Sequence, residues 1–281
     1  MNRQNNAGFT ILEIMIVSVI SLIVVTAAYQ LISSQTRLLA SQTAMIESRD
    51  TNRRVATLLQ SEIRNISSVD GDLYSIAQDS IVLRSYLSTS TMCAGTIPFS
   101  GSRYLGLRNV DGRITADSAK VYSVENNRWS IYDITDIWPA PDAWTLGSTP
   151  VCFWGDSTTT EPRPQMSIKL AGPVDSLSTI GTGAPVRIFQ RIKFGLFPNN
   201  GRWYVGRQVE GGAWERLMGP MLSPNNGGLS FSYYDVNNLV TTDPALVSYV
   251  EFMLQSESLG RVSRSGTRTD SLSMTITLRN N

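Results

Sequence analysis

Glu13 is the first residue whose position asks for a chemical explanation. It stands near the start of "AGFTILEIMIVSVISLIVVTAAYQLI", and between positions 14 and 36 no charged residue occurs. An acidic side chain at the centre of an inserted helix costs about 2.5–3.5 kcal/mol on insertion scales, and less near the interface. No basic side chain lies within the apolar run to offset that cost. Cleavage between Gly8 and Phe9 would supply a cation, because the α-amino group of Phe9 would then lie four residues from Glu13.

Other chemistries have fewer residues to draw on. Histidine is absent, which removes imidazole zinc sites and Ser-His-Asp or Cys-His nucleophilic pairs. Cys93 and Cys152 are too few for a thiolate zinc site and too far apart for a Cys-x-x-Cys redox motif. In an exported chain an even pair points to a disulfide. The chain-entropy model gives its loop of roughly 60 residues about 4 kcal/mol, and two buried free thiols are the alternative. Asp70 with Asp72, Asp133 with Asp136, and Asp235 followed by Asn237 and Asn238 suit turn capping. Asp235 is also a candidate calcium residue, although no twelve-residue EF-hand pattern surrounds it. Of the six tryptophans, Trp129, Trp138, Trp144, Trp154, Trp203 and Trp214, most are expected to pack in the core or loops, and a pair among Trp138, Trp144 and Trp154 is the candidate for an exposed binding patch. No glycine-rich phosphate loop follows a strand and no paired carboxylates stand out, so no active site and no cofactor are expected. With 24 Lys+Arg against 23 Asp+Glu, the charge does not call for a polyanion such as nucleic acid.

The elements that must position these residues are a helix and a sheet. The uncharged run is long enough to cross a hydrocarbon core about 30 Å thick. No glycine or proline occurs from Phe9 to Asp70 in a chain with 21 glycines and 12 prolines, so one helix from Phe9 to about Ile66 is expected. Past the span, Leu38, Met45, Val55, Leu59, Ile63 and Ile66 recur at helical spacing as a stripe for packing onto a head. Arg49, Arg53 and Arg54 read as a solvated face paired locally with Glu47 and Asp50. Beyond "SSVDGD" the period becomes two. "VRIFQRIKFGLF" from Val186, "RWYVGRQV" from Arg202, "SYVEFMLQ" from Ser248 and "SLSMTITL" from Ser271 read as strands. Asp111-Gly112, Asn199-Asn200-Gly201 and Gly211-Gly212 read as hairpin turns. The expected fold class is α+β: a long N-terminal helix packed on an antiparallel β-sheet head. The expected segments are a leader at 1–8, a transmembrane helix at 9–33, its amphipathic continuation at 34–68, and a β-rich head at 69–281 with a loop-rich insertion at about 89–183.

"GFTILEIMIV" resembles the type III signal of type IV pilins and type II secretion pseudopilins, in which a short polar leader ends in glycine before an aromatic residue and then an acid. The resemblance implies that a prepilin peptidase cuts after Gly8 and methylates the amine of Phe9. It further implies that Glu13 pairs with the amine of a neighbouring subunit as helices stack into a filament. The C-terminal third, with Phe231, Tyr233, Tyr234, Asp235, Pro244, Val250, Leu254, Leu278, Arg279 and Asn280, resembles the ending of PilW-type minor pilins and J-type pseudopilins. Large heads and a first helix without proline depart from the usual major pilin. The implied partners are other minor pilins or pseudopilins, the major pilin, the prepilin peptidase and the inner membrane, with the head in the periplasm before assembly. A tip adhesin or DNA-uptake subunit and a signal-anchored periplasmic enzyme stay open as alternatives.

Overall fold

The computed structural model describes residues 10–99, 102–108, 118–123, 125–139, 166–171, 180–181, 183–258 and 269–279, with only the backbone at 93–99, 102–104, 138–139 and 166–167. Helix α1 runs over Ile11–Ile63 without a break, 53 residues and about 80 Å long. Its extent follows from the missing glycines and prolines, since either would cost about 1 or 3 kcal/mol in the interior. Thr10 has extended backbone angles, and its Oγ1 accepts the Glu13 N–H at 3.3 Å. The far end tightens: Asn65 N donates to Glu62 O at 3.4 Å and Ile66 N to Ile63 O at 3.3 Å. The chain then reverses through Gly71, whose φ of +70° suits glycine.

The strands are β1 (Leu73–Ile76), β2 (Ser80–Phe99), β3 (Ser102–Arg108), β4 (Ser118–Ser123), β5 (Arg128–Pro139), β6 (Met166–Leu170), β7 (Pro185–Asn199), β8 (Arg202–Val209), β9 (Trp214–Met221), β10 (Leu229–Tyr234), β11 (Tyr249–Glu257) and β12 (Thr269–Thr277). Every described ladder is antiparallel. The molecule is thus an α+β fold, a long helix followed by an antiparallel head, consistent with a type IV pilin-like architecture.

The sheet has two parts that share β2 and β7. In one, β1, β2, β7, β8 and β9 lead to β11, which also carries β10 and β12. This part buries Leu83, Phe194, Val205, Phe252 and Leu254 against Val55, Leu59 and Ile63 of α1. In the other, β2, β3, β6, β5, β4 and β7 pair in succession, and β7 pairs back onto β2, so six strands close a ring. Met92, Leu105, Leu107, Val121, Ile168 and Ile188 fill its interior, the side-chain packing expected of a small closed sheet. The chain leaves for the ring beyond Thr91 and returns at Pro185, which face each other across the β2–β7 ladder. The interval expected to be rich in loops therefore contributes β3 to β6. In β4 the alternation is hidden because both faces are covered, with Lys120 buried as well as Ala119 and Val121.

Two expectations about local packing change. Leu38 and Met45 are 59% and 42% exposed, and Ala44, Ser48 and Asn52 occupy the face that meets the head. Small residues there let the helix backbone come close enough for Ser256 Oγ to donate to the Ser48 carbonyl at 2.8 Å, and Asn52 Nδ2 donates to Asp270 O at 3.0 Å. The β8–β9 turn is centred on Glu210 and Gly211, φ +46° and +73°, one residue earlier than expected. The β7–β8 turn falls on Asn200 and Gly201 as expected, φ +50° and +75°. Asp111-Gly112 lies outside the described residues.

Candidate functional site: the assembly stalk and the polar hub of the head

The free end of α1 carries the first candidate site. Glu13 occupies the third helical position after Thr10, the Thr-x-x-Glu arrangement of a capping box. An acid there is favoured by the helix dipole, but only by about 0.3–1 kcal/mol, less than the cost of placing it deep in hydrocarbon. Local capping therefore accounts for part of its presence and leaves room for an external cation. Thr10 is a participant that the sequence reading missed, though Thr-x-x-Glu before an apolar run was its signal. Gly8 and Phe9 lie outside the described residues.

From Ile11 onward the stalk stands clear of the head. Ile11, Leu22, Val25 and Leu31 are each more than 60% exposed, and Ala44 is the first buried side chain. Burying a side chain of this kind is worth about 1.5–3 kcal/mol, so the stalk requires lipid or other helices around it. Its polar groups are ready for such a medium: Ser18 Oγ donates to Met15 O at 2.8 Å, Thr26 Oγ1 to Leu22 O at 2.7 Å, and Thr36 Oγ1 to Ser33 O at 3.0 Å. Helix α1 is long and apolar enough to cross a membrane.

Farther along α1, Arg54 pairs with Asp50 at 2.8 Å, the local pairing expected, whereas Arg49 reaches across to Asp270 at 3.4 Å instead of to Glu47. Both arginines are more than half exposed, so these pairs contribute little.

The second site is a buried polar hub where the turn after α1 meets β1, β2 and β4. Asp72 follows the turn after α1, and its side chain is 2% exposed. Its Oδ1 accepts from Arg84 Nη1, from Tyr86 OH at 2.9 Å and from Lys120 Nζ at 3.4 Å. Its Oδ2 accepts from Ser67 N at 3.1 Å. Arg84 also donates Nη2 to Tyr74 OH at 3.1 Å and lies over the Phe189 ring at 4.3 Å. Lys120 has a second, more exposed partner in Asp70 at 3.7 Å. Burial pushes the Lys120 ammonium pKa down, opposed by Asp72 and Asp70. Burial, then the Asp72 charge, pushes the Tyr86 phenol up to about 12. Because Lys120 belongs to the ring and Asp72 to the stalk's exit, the hub ties the two parts of the head together. Sequence reasoning treated Asp70 and Asp72 as turn residues and did not single out Arg84 or Lys120. The available signal was a charge flanked by apolar residues in "SIVLRSYL" and "SAKVYS".

The remaining candidates disperse. Asp235 Oδ1 accepts from Asn237 N at 2.8 Å and Leu239 N at 2.9 Å, which is turn capping. Among the described residues, no group of three or more acidic or sulfur ligands gathers. Trp144, Trp154 and Cys152 lie outside the described residues, as do the side chains of Trp138 and Cys93. Trp214 stacks on Phe197 at 5.6 Å, and Trp129 meets Tyr122 edge-on at 5.4 Å, both packing roles.

Residues 3–29 match the family model of the prokaryotic N-terminal methylation motif. No curated protein and no solved structure shows a significant match to the chain. The matched segment contains Gly8, Phe9, Thr10 and Glu13 together with the exposed apolar stalk. The family it defines is structural rather than catalytic, and its signal implies processing by a prepilin peptidase and assembly with other pilins. The motif at the amino terminus, the apolar helix behind it and the antiparallel head together support a type IV pilin-like protein.

Proposed function

We propose that the chain is a minor pilin that initiates or caps a type IV pilus as part of a tip or priming complex with other minor pilins. The observation that carries this reading is the combination of a long exposed stalk with a head enlarged by a six-stranded ring. A subunit repeated along a slender filament has little room for such a head, whereas one at the end does. In this reading the chain is inserted once in the inner membrane with its head in the periplasm, is cut after Gly8 and methylated on Phe9, and enters the filament through α1. Glu13 then accepts the amine of a neighbouring subunit in a low-dielectric bundle, where an unpaired acid would be costly. Apolar packing along the stalk supplies cohesion. Cys93 and Cys152, an even pair in an exported chain, form a disulfide.

The C-terminal strands favour one second reading. Phe231 and Leu254 of the resembling pattern are buried against α1, which suits a J-type pseudopilin of a type II secretion system equally well. Intact mass and amino-terminal sequencing of membrane-extracted protein test the processing: a mature chain starting with methylated Phe9 is expected, and one starting at Met1 overturns the proposal. A Glu13→Ala variant should keep a folded head and fail to enter filaments. Normal incorporation would remove the register role.

A further inference from the structure

A cleft of about 310 Å³ opens where the last turn of α1 meets β2 and β7, with Glu62, Arg84, Tyr86, Arg187 and Arg279 on its walls. The charge of Arg84 is already taken by Asp72. Arg187 differs. Its guanidinium lies 4.8 Å from the centre of the Trp129 ring and 5.5 Å from that of Tyr86, and among the described residues no carboxylate lies within 4.0 Å of it. Arg279 enters the same cleft, again without a carboxylate partner among the described residues, and is exposed. Two cations without acidic partners thus share a cavity with one carboxylate, Glu62.

We propose that this cleft receives a carboxylate presented by a protein partner through an acidic segment. A guanidinium held against two aromatic rings has already lost much of its side-chain freedom, so its donors can engage a planar carboxylate with little further ordering. Arg279 supplies a second donor set, and the Arg84 charge behind it is fixed by the hub. The size suits a carboxylate side chain and not an extended polyanion: nucleic acid needs a line of cations along successive phosphates, and here Glu62 stands among the cations of the cleft. This gives the head a partner chemistry of its own and does not depend on the filament reading.

The test uses the full chain in zwitterionic detergent, titrated calorimetrically with a short acetylated peptide of alternating glutamate and serine, and with the same peptide carrying glutamine. Free and amidated carboxyl termini distinguish a side-chain carboxylate from a terminal one. The glutamate peptide should bind and the glutamine peptide should not. A charge-assisted hydrogen bond is worth enough for Arg187→Gln to weaken binding by about tenfold or more. Glu62→Gln should strengthen binding several-fold, roughly as expected for removing one nearby like charge, and a folding defect would not give that sign. Equal affinity in the Arg187→Gln variant and the parent, or no binding of any acidic peptide by the parent, overturns the proposal. So does an arginine-dependent preference for a single-stranded oligonucleotide over the peptide.

Discussion

Replacing Asp72 by Asn tests the hub most directly. The substitution keeps the shape but turns one oxygen into an NH₂ group. That group then faces either the Arg84, Lys120 and Tyr86 donors or the Ser67 N–H, a donor against a donor in both orientations. Arg84 and Lys120, with side chains 1% and 2% exposed, would keep only Asp70 at 3.7 Å as a carboxylate. Removing one partner of a buried ion pair costs about 3–5 kcal/mol, and two cations here lose the same partner, so the upper half of that range is expected. With a urea slope of about 1–3 kcal/mol per molar, the unfolding midpoint of the full chain in detergent, followed by tryptophan fluorescence, should fall by more than about 1 M. The pH dependence carries a sign. Lys120 has a native pKa below its unfolded value, so its penalty is fully present below the native pKa and is released as pH rises toward the unfolded value. Without Asp72 that native pKa falls further, so the loss should shrink as pH rises toward the unfolded lysine pKa of about 10. Adding Lys120→Met removes one stranded charge and should restore part of the stability. A loss under about 1 kcal/mol, or simple additivity of the two substitutions, would refute this account of the hub.

Two further outcomes follow from packing and titration. Leu59, fully buried between α1 and the sheet, should cost about 2–5 kcal/mol on replacement by Ala, whereas Leu38→Ala should leave head stability unchanged in the same denaturation assay. The Tyr86 phenol, with a native pKa raised to about 12, contributes stability that is intact below its unfolded pKa near 10 and is lost as pH rises through 12. Tyr86→Phe should therefore flatten the alkaline limb of the stability profile.

How much of this was legible depends on the range of the interactions. Helix α1 could be read because its signal is local: an uninterrupted stretch without glycine or proline, then Val55, Leu59 and Ile63 at helical spacing. Strand β12 could be read because Leu272, Met274 and Ile276, with Leu278 just beyond it, join the core that includes Val55, Leu59 and Ile63 of α1, while Ser273, Thr275 and Thr277 are exposed. The upper part of the stripe was misread, since hydrophobicity favoured Leu38 and Met45 where the head instead presents hydrogen-bonding groups to Ser48 and Asn52. The ring was not legible. It exists through the pairing of Thr89 with Arg187 and of Val121 with Val186, contacts made far apart in the chain. The hub shares that origin: Asp72, Arg84 and Lys120 are ordinary charges in sequence and become partners only through the sheet. Glu13 could be read because the apolar run around it made a single acid conspicuous.

The way the ring is hung from the sheet has a consequence for how such a molecule can change over time. Because the departure at Thr91 and the re-entry at Pro185 are cross-strand neighbours, whatever is strung between them closes onto a doorway that the frame already provides. Strands could be lengthened, exchanged or trimmed beyond that doorway while the helix-bearing layer kept its register, leaving a polymer-compatible chassis free to carry different cargo.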